Sequence, residues 1–287
     1  MRYLIPILFY LLLTGCNSQS SSISDQPPGD IPIVFEPDLV PEGKIIHRGV
    51  FSNDLKAYYF TISDPAFTNF DILVSERNKN IWNISKEAFF NSKYDDHGMS
   101  FSPDGNTLVF CSTRPVDDLP QTWHIWKSEK INSGWSTPLY IEIPNLKNKL
   151  LSHPTLMPDG TLYFHASELD YSNMKLYYSS LINGKYQNAE EITFETLSDK
   201  ALCTPYLSAS GTYLIFATIG QSLELHASQN LGGNSWSDPL KLPDEINSKG
   251  QGNPYLTPDS KYLFYASEKK GKWKINWVNM ESFFKVK

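Results

Sequence analysis

The chain of 287 residues sets 25 Lys and Arg against 31 Asp and Glu, and no basic cluster exceeds Lys269-Lys270-Gly271-Lys272; nucleic acid is therefore not an expected partner. Apolar residues make up 40% of the chain and aromatic residues 14%, enough for one sizeable core. There is no CxxC, HExxH or GxSxG, and no phosphate-binding glycine loop, so none of the common catalytic or metal signatures is present.

The N-terminal segment is read as an export signal. Arg2 supplies a positive start and Leu4 to Leu13 an apolar run too short for a permanent membrane helix. The sequence Leu13-Thr14-Gly15-Cys16 resembles a bacterial lipobox. That resemblance implies cleavage after residue 15 and acylation of Cys16, with Asn17 favouring the outer membrane. Asn17 to Asp30 (NSQSSSISDQPPGD) has almost nothing to bury and reads as a flexible tether. The expected organisation is a signal over 1–15, a lipidated tether over 16–30 and a single domain over 31–287, in the cell envelope and facing the periplasm.

Ile31 to Leu39 (IPIVFEPDL) opens the domain, and five similar segments follow: GVFSNDLKAYYF from Gly49, MSFSPDGNTLVF from Met99, PTLMPDGTLYF from Pro154, PYLSASGTYLIF from Pro205 and PYLTPDSKYLFY from Pro254. Their anchors Asp54, Asp104, Asp159, Ser210 and Asp259 are 50, 55, 51 and 49 residues apart. Self-similarity at such a period means an array of one supersecondary unit, because one unit cannot bury its own apolar face. Each copy runs from a strand through a Pro-Asp-Gly-like turn into a second strand. The Ser-Asn-Asp and Ser-Ala-Ser of copies one and four are expected to bend differently. A third strand follows at Phe70, His124, Lys175, Leu223 and Lys274, and a fourth begins with Trp82, Trp135, Tyr186 or Trp236. The fifth copy lacks a fourth strand. Ile31 to Leu39 is expected to supply it by burying Ile33, Val34 and Phe35, giving an all-β, five-bladed propeller of four-stranded antiparallel blades with a closed ring.

The residues from Trp236 to Glu268, with Ser112-Thr113-Arg114-Pro115 and Asp71-Ile72, resemble the WD-repeat-like, Pro-Asp propeller repeat of TolB-type periplasmic proteins. The resemblance spans about residues 31 to 280. It implies the propeller fold but no one activity, since such rings serve as binding scaffolds, sensors and occasionally enzymes.

In that geometry the start of each innermost strand faces one end of the central channel. Six and seven residues before the anchors stand His47 and Arg48, His97 and Gly98, Ser152 and His153, Cys203 and Thr204, and Gly252 and Asn253. The expected ligand-binding group is His47, Arg48, His97, His153, Thr204, Asn253 and, from a neighbouring loop, Arg114. In this reading Arg48 faces an anion or carboxylate while the imidazoles hydrogen-bond the ligand. Three imidazoles hold a metal only if their nitrogens converge about 2 Å from one point, and the reading assigns no metal and no cofactor. The alternative is that these side chains only satisfy backbone at strand starts. The recurrent Trp and Tyr residues are read as inter-blade packing, and His124, His165 and His226 as structural. Cys111 and Cys203 stand two blades apart and are expected to stay unpaired.

The function expected is a lipid-anchored, non-catalytic binding module whose partner is an envelope protein or a small or saccharide ligand at the channel mouth. The rival is a carbohydrate-active enzyme, hydrolase or lyase, with acids drawn from Asp64, Asp96, Glu168 and Glu268. A glycosidase requires two facing carboxylates roughly 5 to 10 Å apart, and the inner strand starts carry none except nearby Asp96.

Overall fold

The structure is a computed structural model that describes residues 23–285 apart from 25, 36–38, 79–80, 133, 249–251 and 270. The expected export signal and acylated Cys16 lie outside the described residues. No helix among the described residues is long and apolar enough to cross a membrane.

Five antiparallel blades form the ring. Their innermost strands are Ile45–Phe51, Asp96–Phe101, Leu150–Leu156, Ala201–Leu207 and Gly252–Leu256, and these touch one another in cyclic order, the fifth returning to the first. Each pairs with a second strand: Ala57–Ser63, Thr107–Ser112, Leu162–Ser167, Tyr213–Ile219 and Tyr262–Lys269. The third strands are Asp71–Asn78, His124–Ile131, Lys175–Ser179, Leu223–Gly232 and Lys272–Asn279. Because neighbouring blades cover both faces, the inner strands are buried along most of their length without alternation, their apolar residues interrupted by buried polar ones such as Arg48, Asp96 and His97. Ile45–Phe51 is buried throughout, whereas the outermost Lys86–Glu87 is exposed.

The fourth strand is interrupted. Ile81–Trp82, Gly134–Trp135 and Ser235–Trp236 form a short return that pairs with the outer end of the third strand, and after a break Lys86–Glu87, Leu139–Tyr140 and Leu240–Lys241 complete the blade. In blade 3, Tyr186 instead sits in a separate two-stranded ribbon, and Glu190–Ile192 closes the sheet. The aromatics do bridge blades. Trp236 meets Tyr163 of blade 3 edge-on at 5.8 Å, and Trp135 meets Phe89, just past blade 1, at 5.8 Å.

Ring closure takes the expected form but with different side chains. Ile33 pairs with Trp277 and Val34 with Asn276, and the Phe35 N–H donates to the Ile275 carbonyl at 2.9 Å. Ile33 and Val34 are exposed, so they do not anchor the strand. Phe35 does: it is buried, with its ring edge-to-face against Phe51, Tyr58, Trp82, Phe264 and Trp277 at 5.2 to 6.0 Å. Just ahead of it, the Asn279 N–H donates to the Gly29 carbonyl at 3.0 Å and Ser282 Oγ to Asp30 Oδ1 at 3.0 Å.

The turns of copies one and four are not exceptions. Ser52 Oγ donates to Asp54 Oδ1 and the Lys56 N–H to the same oxygen, as Ser102, Asp104 and Asn106 do in blade 2. All five turns place one residue in the left-handed region: Leu55, Gly105, Gly160, Gly211 and Ser260, with φ of 58, 71, 86, 70 and 57°. The hydrogen-bonded frame selects this geometry, and the residue type follows it only in part.

Candidate functional site: the channel network

Every innermost strand breaks register: at the same place in blades 2 to 5, between His97 and Ser100, Ser152 and Thr155, Cys203 and Tyr206, and Gly252 and Tyr255, and one residue earlier in blade 1, between Ile46 and Gly49. A bulge re-aims the side chains at its centre. In four blades the residue six before the anchor takes positive φ: Gly98 at 64°, His153 at 54°, Thr204 at 49° and Asn253 at 56°. Glycine suits this conformation; for Thr it is a strained one.

The re-aimed groups meet. His97 Nε2 lies 3.1 Å from Ser152 Oγ, Ser152 Oγ 2.9 Å from His153 Nδ1, and His153 Nε2 2.7 Å from Asn253 Oδ1. With the Asn253 carbonyl accepting, His153 carries its proton on Nε2. Its Nδ1 then accepts from Ser152, which in turn accepts from His97 Nε2–H. One directed chain thus links blades 2, 3 and 5. His165 stacks on His153 at 5.1 Å and its Nδ1 accepts from the Thr204 N–H at 3.2 Å. Thr204 Oγ1 accepts from the Asn253 N–H at 3.4 Å.

Arg48 enters from blade 1. Its Nη2 donates to the Thr204 and Pro205 carbonyls of blade 4 at 3.0 and 2.8 Å, and the guanidinium lies 5.6 Å from the centre of the Tyr206 ring. It is 0% exposed, and its Nε and Nη1 have no hydrogen-bond partner among the described residues. Burial lowers its pKa to about 10, so it stays cationic at neutral pH. Burial likewise pushes His97 and His153 well below the usual imidazole range, helped by the neighbouring charge of Arg48, and takes His165 down to about 3. The arrangement is one buried cation among neutral imidazoles.

Five of the seven residues singled out from the sequence therefore converge: Arg48, His97, His153, Thr204 and Asn253. They do not ring an open mouth, since only His153 and Asn253 are partly exposed. His47 stands apart from the chain of hydrogen bonds. Its Nε2 lies 2.8 Å from Ser63 Oγ, it packs on Phe67 and Phe70, and burial takes its pKa down to about 4. Arg114 is elsewhere, paired with Asp96 at 3.2 Å, bonded to the Phe90 carbonyl and stacked over Phe110 and Trp126. The sequence reading missed His165, taken as structural, and left Ser152 out of the group. The signal was cross-strand position, because Ser152 and His165 are direct partners in the blade 3 ladder. Among the described residues His124 and His226 hydrogen-bond only nearby carbonyls, of Pro120 and Glu224.

The candidate acids do not face one another. Asp64 pairs with Lys44 at 2.6 Å, Glu168 with Lys149, and Glu268 accepts from the Gly271 N–H. Asp96 is the one buried carboxylate among the described residues, its pKa raised by desolvation. No group of three His, Cys, Asp or Glu side chains among the described residues is placed to hold a metal ion. Cys111 and Cys203 are unpaired and buried, which pushes both thiols up to about 12.

No protein-family model and no curated protein matches the chain. Solved structures do resemble it. A thermostable family-43 glycoside hydrolase aligns with TM-score 0.51 and 12% identity, over 84% of this chain and 91% of that one. TolB from Acinetobacter baumannii aligns with TM-score 0.47 and 17% identity over 81% of this chain, which spans about half (54%) of that structure's length. An oligogalacturonate lyase from Vibrio parahaemolyticus aligns with TM-score 0.42 and 10% identity, over 89% of this chain and 100% of that one. At 12% identity the likeness to the glycoside hydrolase is one of fold alone, and the blade topology identifies the chain as a five-bladed β-propeller.

Proposed function

We propose that the chain is a non-catalytic binding module of the bacterial cell envelope, held by a lipid on Cys16 and facing the periplasm. Its ligand, an envelope protein or a saccharide, engages the channel end where His153 and Asn253 meet. One observation carries the reading: three non-glycine residues hold left-handed backbone at equivalent bulges where blade 2 uses Gly98. Strain of this kind, on the order of 1 to 3 kcal/mol per residue, persists where the side chain is needed. The side chains retained are those that point polar groups to one place. The TolB-like Pro-Asp repeat and the lipobox-like Leu13-Thr14-Gly15-Cys16 agree with an envelope role. Against a glycosidase stands the carboxylate inventory, because among the described residues there is a single buried acid, Asp96, and it is already paired with Arg114, whereas that chemistry divides the roles of acid and base or nucleophile between two carboxylates.

The test compares the full chain with a triple variant, His153→Gly, Thr204→Gly and Asn253→Gly, against detergent-solubilised envelope extract and a saccharide array. The wild type is expected to retain a component that the folded triple variant releases. Equal retention by both, with matching circular dichroism, rejects the reading.

A further inference from the structure

Arg48 and Arg114 form an instructive pair. Arg114 is partly exposed and has Asp96 as counter-charge at 3.2 Å. Arg48 is more deeply buried and has no ion pair among the described residues, only two backbone carbonyls and the face of Tyr206. A buried, unpaired charge is among the most costly features a fold can carry. Among the described residues nothing balances it: the titratable groups that interact with its charge are His97, His153, His165, Cys111, Cys203 and Tyr206, and burial holds each of them in its neutral form at pH 7.

We infer that Arg48 is the seat of a small monoanion in the channel, halide- or carboxylate-sized, held through the N–H groups of Nη1 or Nε. This deepens the proposed binding role and rests on it. A carboxylate carried by the ligand would be the natural occupant, and a free inorganic anion the other source of the same chemistry. The charge balance selects one negative charge, since a single guanidinium is uncompensated. The partly exposed members of the network are His153 and Asn253, joined by a 2.7 Å hydrogen bond.

The experiment follows thermal unfolding of the full chain in detergent as chloride, formate or acetate replaces bulky gluconate at fixed ionic strength and pH 7. Wild type is expected to gain roughly 5 °C at a hundredfold excess over Kd, and Arg48→Met to gain nothing. A response to formate and acetate alone assigns a carboxylate ligand; a response to chloride as well assigns a halide-sized anion. No response in wild type, or an equal response in Arg48→Met, overturns the inference. Should Arg48→Met not fold, saturable line broadening of chlorine-35 or carbon-13 formate resonances by wild type supports the seat, and unsaturable broadening of both overturns it. Loss of capture in the glycine triple variant beside a flat anion titration removes the anion seat and leaves the binding role standing; an anion-dependent melting temperature with capture unaltered does the reverse.

Discussion

His153 donates its Nε2 proton to Asn253 Oδ1 across 2.7 Å, and this one bond ties blade 3 to blade 5 at the partly exposed end of the channel network. Removing the acceptor leaves an imidazole N–H without its partner in a semi-buried site. Asn253→Ala should therefore cost about 1 to 3 kcal/mol, read as a lower urea midpoint at unchanged m-value. An unchanged midpoint would show that the bond is not formed in solution.

The imidazoles give the fold a pH dependence with a definite sign. His47 is depressed to about 4 and His165 to about 3, both by burial. Above the unfolded value near 6.5 neither state is protonated and nothing is lost. Between about 6.5 and the folded value the unfolded chain binds the extra proton, so stability falls with falling pH, by up to about 1.4 kcal/mol per unit for each group. Asp96, whose pKa is raised, acts with the opposite sign just above the usual carboxylate range. Urea midpoints at pH 7 and pH 5 should differ clearly, and His165→Gln should flatten the difference. Equal midpoints would mean that these rings are already protonated or exposed.

Ring closure rests on one side chain. Phe35→Ala should cost about 3 to 5 kcal/mol, the range for deleting a buried aromatic, because five aromatic rings lose their common neighbour. Ile33→Ala and Val34→Ala, at exposed positions, should each stay within about 0.5 kcal/mol of wild type. Similar losses at all three positions would mean that the strand is held by its hydrogen bonds and not by Phe35.

These cases show what the sequence made legible. A repeat of about 50 residues with Pro-Asp turns suffices for blade count and topology, because turn chemistry and strand pattern recur in register. The equivalence of Arg48, His97, His153, Thr204 and Asn253 was legible for the same reason. The bulge was not: Thr204, a β-branched residue, carries no propensity for positive φ, so the re-aiming that turns it toward its neighbours leaves no local mark at that position. Nor was the depth of Arg48, since a strand start says nothing of how far across the axis a long side chain reaches. Arg114 was misplaced because the second-to-third strand loop turns it back onto Phe90 and Asp96.

Arg114 provides the sharpest separation of structure from binding. Its guanidinium meets Asp96 Oδ1 at 3.2 Å, while Asp96 Oδ2 accepts from the Ser92 N–H and hydroxyl at 2.7 and 2.9 Å. Arg114→Ala strands a buried carboxylate and should cost about 3 to 5 kcal/mol, much of which the double variant Arg114→Ala with Asp96→Ala should recover by removing the orphaned charge. Neither change touches the hydrogen-bonded chain from His97 to Asn253. Ligand capture by the folded double variant should therefore match wild type, while the glycine triple variant loses it. A double variant that folds and fails to capture would return Arg114 to the binding group in which its sequence position placed it.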